Sequence, residues 1–151
     1  MTSETGKLLR FAKSVIASVG ATSAVLALLP GVAQANTIWS ASSAYGTGSA
    51  NVDASGNLEL ALGAMDTKCD SKSAGTLADV YAGGSKQASR SVDAFNGCHS
   101  GETKYFYFDI SQLGGNTSGY ITIRACRAQK IAGAVNYTSC GSAVSRSFSI
   151  S

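Results

Sequence analysis

The chain has 151 residues, 12 basic and 9 acidic, with a formal net charge of +3, 17 glycines, one proline and four cysteines. That length supports one domain with a modest core. The charge is too small to leave an electrostatic footprint for nucleic acid or an acidic membrane surface.

Residues 1–35 read as an export signal. Lys7, Arg10 and Lys13 stand against the single acid Glu4, an Ala/Val-rich run follows from Val15 to Val32, and Ala33-Gln34-Ala35 is a small-x-small cleavage site. Ser18, Gly20, Thr22, Ser23 and the Pro30-Gly31 break argue against a retained membrane anchor. Taking out those four charges leaves 9 basic and 8 acidic residues (12 less 3, 9 less 1), so the expected mature domain, residues 36–151, is nearly neutral. It also contains no proline.

From there the apolar residues recur with period two, the signature of strands with one buried face. Two weaker strands are expected near Thr37–Tyr45 and Ala50–Val52. Asn57–Leu62 follows, with Leu58, Leu60 and Leu62 on one face. Leu77–Ala82 runs into Gly83-Gly84, and Ser89–Ala94 is its expected hairpin partner. The strongest strand is Lys104–Ile110, followed by Tyr120–Cys126 and finally Val144–Ile150. Seven or eight short strands separated by Gly/Asn/Ser turns predict an all-β, antiparallel sandwich, Ig-like or related. Pairing Lys104–Ile110 with Tyr120–Cys126 as a hairpin would set Tyr105 opposite Arg124 and Tyr107 opposite Thr122. Phe106, Phe108, Ile110, Ile121 and Ile123 would then share the dry face. Tyr105, Tyr107, Tyr120 and Arg124 would form an outer platform able to stack on sugar rings or peptide side chains, with Trp39 near it.

Four cysteines in an exported chain imply two disulfides, with three pairings open. The neighbour pairing, Cys69–Cys98 with Cys126–Cys140, is favoured because each bridge flanks strands expected to be adjacent. Zinc is disfavoured by the lack of CxxC spacing and by the single histidine, His99. On an extended chain the side chains of Cys98 and His99 would point apart, so His99 reads as a surface loop residue. No GxSxG surrounds any serine, the acids are scattered, Asp66 and Asp70 lack EF-hand spacing, and no P-loop or dinucleotide fingerprint occurs.

The segments Asp66-Thr67-Lys68-Cys69-Asp70, Asn96-Gly97-Cys98, Ile123-Arg124-Ala125-Cys126 and Ser139-Cys140-Gly141-Ser142 resemble those of small uncharacterised secreted proteins of actinobacteria. The resemblance implies export, two bridges and a β fold, and brings no activity with it. The size and two bridges are also similar to those of enediyne-binding apoproteins, with no motif in common. The expectation is a secreted, non-enzymatic domain without cofactor or metal. Its expected partner is a cell-wall glycan, a peptide or another extracellular protein, and neither nucleic acid nor membrane after signal cleavage. A disulfide-rigidified protease inhibitor or toxin-like effector is the first alternative, and a small extracellular hydrolase based on His99 the second.

Overall fold

A computed structural model describes residues 38–151, and the expected signal segment lies outside the described residues. Nine strands follow in order: β1 (Trp39–Ser42), β2 (Gly46–Asp53), β3 (Leu58–Asp66), β4 (Ser73–Ala82), β5 (Ser85–Ala94), β6 (Gly101–Phe108), β7 (Ser118–Ile131), β8 (Ala134–Thr138) and β9 (Val144–Ser149). They form two antiparallel sheets. The first has the order β1-β2-β3-β6. In the second, β5-β4-β7 continues into β8 along one half of β7 and β9 along the other. Among the described residues there is no helix, hence none long and apolar enough to cross a membrane.

The period-two pattern explains the layering. Leu58, Leu60 and Leu62 of β3 are fully buried while Glu59 and Ala61 between them are partly exposed. From the second sheet, Val80, Val92, Ile121 and Ile123 close on the same core, which Phe108, Trp39, Leu113 and Phe148 complete. Each such aliphatic burial is worth roughly 1.5–3 kcal/mol. The sheets also share a polar tie: the buried Thr76 hydroxyl of β4 donates to the Gly63 carbonyl of β3 at 2.8 Å.

Turn chemistry sets the hairpins. Gly83 and Gly84 both have positive φ (57° and 79°) and close the expected β4–β5 hairpin in two residues, the geometry that matches strand twist. Ala132-Gly133 repeats this device between β7 and β8, at φ of 50° and 84°. That second hairpin lies between the expected strands Tyr120–Cys126 and Val144–Ile150, and Ala132 takes there a left-handed conformation that its type does not advertise.

The expected hairpin of the two strongest strands does not form. β6 pairs with β3 (Tyr105↔Ala61, Tyr107↔Glu59) and β7 with β4 (Tyr120↔Tyr81, Arg124↔Leu77). The connection between them crosses from one sheet to the other. Asp109 Oδ1 starts that crossing by accepting from the Ser111 hydroxyl at 2.6 Å and the Gln112 amide at 2.9 Å. The same two bonds, Ser111 first, hold its carboxyl below the usual range. Ile110, expected inside, lies in this loop and is 37 % exposed, while Leu113 fills the core instead.

Both bridges of the favoured pairing are present, Cys69–Cys98 and Cys126–Cys140. Cys69 lies in the β3–β4 crossing and Cys98 in the β5–β6 crossing, so the first bridge ties two sheet-to-sheet connections at one end of the sandwich. Cys126 is fully buried beneath the second bridge.

Candidate functional site

The four residues of the expected platform separate into two pairs. Tyr105 and Tyr107 stand on the outer face of the first sheet, 60 % and 64 % exposed, opposite Ala61 and Glu59 respectively. Tyr120 and Arg124 stand on the outer face of the second sheet. There Tyr120 stacks on Tyr81, with ring centroids 4.7 Å apart and planes 8° from parallel. The inward residues Phe106, Phe108, Ile121 and Ile123 do share one core, but across the sandwich rather than across a hairpin, so the outer faces turn away from each other. Trp39 is buried and joins neither pair.

A different cluster gathers at the end of the sandwich that holds the first bridge. The Ser43–Gly46 turn between β1 and β2 is set by the Ser43 hydroxyl, which accepts from the Tyr45 amide at 3.2 Å, and it presents the Tyr45 ring. Three cations surround that ring: Lys68 Nζ at 5.7 Å, Lys72 Nζ at 5.4 Å and Arg127 Cζ at 5.7 Å from its centroid. Lys68 and Lys72 come from the β3–β4 crossing. There Asp66 and Asp70 act as turn acceptors for the Lys68 and Lys72 backbone amides, at 2.9 and 3.2 Å. Arg127 comes from β7, and its Nε is buried with no acceptor among the described residues. On the next stretch of β7, Lys130 Nζ lies 4.6 Å from the centre of the Phe95 ring.

Two adjoining clefts open here, of about 290 Å³ and about 240 Å³, and share Ser71, Lys72, Ser73 and Phe95 as a common wall. Arg127 and Lys130 line the larger, and Asp66 with the Cys69–Cys98 bridge the smaller. Among the described residues the one ion pair is Lys86–Asp79, so none of these four cations has a carboxylate within 4.0 Å. Their mutual repulsion is offset only in part by the aromatic faces, at roughly 0.5–1 kcal/mol per exposed contact. The larger cleft is a concave seat lined by Lys72, Arg127, Lys130 and the Phe95 ring, the chemistry that takes a carboxylate, sulfate or phosphate group, while Asp66 places an acid in the smaller one.

This cluster was hidden in the sequence because its members lie on four separate segments. The Lys68-Cys69-Asp70-Ser71-Lys72 run and the Arg127/Lys130 pair were its only local signals.

His99 is the exposed loop residue expected, but its backbone is not extended. It sits at φ 57°, left-handed rather than extended, in a turn where its amide donates to the Asp66 carbonyl at 3.0 Å. Adjacent side chains therefore do not diverge, and an imidazole nitrogen lies within 4.8 Å of both sulfurs of the Cys69–Cys98 bridge. The neighbouring Ser100 hydroxyl donates to the Gly97 carbonyl.

No protein-family model matches this chain, and a search of the curated proteins returns no match. The fold established here is an all-β antiparallel sandwich of a four-stranded and a five-stranded sheet held by two disulfides.

Proposed function

We propose that this protein is a secreted, non-catalytic binding module that takes an anionic extracellular ligand at the basic end of the sandwich. The observation that carries this reading is the convergence of Lys72, Arg127 and Lys130 on two adjoining clefts, with Lys68 beside them over the Tyr45 ring and, among the described residues, no carboxylate within 4.0 Å of any of the four. The buried Arg127 Nε, which has no acceptor among the described residues, adds a desolvated donor, which gains most from an incoming acceptor. The two disulfides are consistent with an extracellular location, where such bridges persist.

Affinity electrophoresis against polygalacturonate and against a neutral β-glucan tests this. Retardation by polygalacturonate that weakens with salt and is lost in Lys72→Ala/Lys130→Ala is expected. No retardation, or retardation indifferent to that double substitution, overturns the reading. A second reading, neutral-glycan stacking on the first sheet, rests on the exposed neighbours Tyr105 and Tyr107, opposite Ala61 and Glu59. Retardation by the β-glucan that is lost in Tyr105→Ala/Tyr107→Ala would favour it.

A further inference from the structure

We propose that the Cys69–Cys98 bridge masks a thiol–thiol–imidazole metal site, which opens on reduction and binds a divalent ion of the zinc type. The left-handed conformation of His99 brings one imidazole nitrogen and both sulfurs within 4.8 Å of one another. With Zn–S of about 2.3 Å and Zn–N of about 2.0 Å, ligand atoms around a tetrahedral ion stand about 3.5–3.8 Å apart. Once the sulfur–sulfur bond is broken, side-chain rotation alone covers the difference. All three residues are exposed, so reductant and metal reach them from solvent. The three residues lie in the two short loops between β3 and β4 and between β5 and β6, and β3 pairs directly with β6, so the fold holds the set together without the bridge. Three protein ligands leave the fourth position to solvent, the arrangement of an open zinc site.

The redox step balances with an external dithiol. It attacks one sulfur of the bridge, the Cys69–Cys98 bond breaks, two electrons pass to the protein sulfurs and the dithiol leaves as its own disulfide. Metal binding then takes both sulfurs as thiolates, releasing their two protons to solvent. In the second bridge Cys126 is fully buried, which leaves only the sulfur of the exposed Cys140 open to the same reagent.

The test is anaerobic titration with Co²⁺, followed by Zn²⁺ competition, on protein treated with a limiting amount of a phosphine reductant. Near-ultraviolet circular dichroism follows the fold. The expected result is one Co²⁺ per chain with sulfur-to-cobalt charge-transfer absorption, displaced by Zn²⁺, and no binding to the oxidised protein. His99→Ala should weaken binding by more than roughly tenfold, a size that even second-shell losses reach. Cys69→Ser/Cys98→Ser should remove the charge-transfer band. Equal affinity in His99→Ala, equal binding by the oxidised protein, no stoichiometric binding, or loss of the folded signal on reduction would each overturn the proposal.

Discussion

Arg90 of edge strand β5 turns inward and sets its guanidinium 5.0 Å from the ring centroid of Phe108 on the facing edge strand β6, with Phe106 at 5.7 Å. An inward charge on an edge strand does two things at once. Its stem covers apolar surface, and its head discourages another chain from pairing there. Arg90→Ala is therefore expected to cost about 1–2 kcal/mol in urea unfolding and to raise self-association in size-exclusion chromatography. Arg90→Met should recover most of the stability but not the solubility, because it restores the stem without the charge.

The hydroxyl of Thr76 supplies a polar bond between the two sheets in a fully buried setting. Thr76→Val keeps the shape and leaves the Gly63 carbonyl without this donor. A loss of about 1–3 kcal/mol is expected by thermal or chemical denaturation, and Thr76→Ser should recover part of it. If Thr76→Val unfolds at the same midpoint as the parent, the bond adds nothing.

Tyr137 of β8 lies over Gly75, where a Cβ would come within 2.7 Å of the ring, and its hydroxyl donates to the Asp93 carboxylate. Burial, and then that bond, push its pKa up to about 12 from the ordinary 10.0. The fold thus favours the neutral phenol. Its contribution is fully present below pH 10 and is lost as pH rises from there through about 12. Ultraviolet titration should show one late-ionising tyrosine, absent in Tyr137→Phe, and that variant should have a shallower loss of stability above pH 10.

The Cys126–Cys140 bridge spans 14 residues and covers β7 from outside. Cys126→Ala/Cys140→Ala is expected to cost about 3 kcal/mol, the scale for a loop of this length. It should leave polygalacturonate binding intact under conditions where the domain remains folded. Equal loss of binding and fold at every denaturant concentration would show that the basic end depends on this bridge.

Which residues face the core was legible in the sequence, because burial on one face writes itself as alternation: Leu58, Leu60, Leu62, Phe108, Ile121 and Ile123 are all inside. So was the Gly83-Gly84 hairpin, where glycine declares its conformation. Partner choice was not. Tyr105 and Arg124 sit on faces of correct polarity, but nothing local distinguishes a hairpin from a crossing of the sandwich, and the Asp109–Gln112 turn chose the crossing. Ala132 and His99 show the same blind spot on a smaller scale, since each takes a left-handed backbone that its residue type does not announce. The basic end was invisible for a further reason. Tyr45, Lys72, Phe95 and Arg127 come together only once the sheets are stacked.

The backbone ties at Ser151 carry a practical corollary. Its amide donates to the Ala54 carbonyl and its carbonyl accepts from Gly56, which places the last residue at the β2–β3 turn. The chain also enters β1 at Trp39, paired with Ala50, at the end of that strand remote from the β1–β2 turn that presents Tyr45. Both points of attachment therefore lie toward the pole opposite the basic clefts. Anything joined beyond Ser151, whether a support, a tag or another domain, would hold the protein by its back and leave the charged pole facing outward.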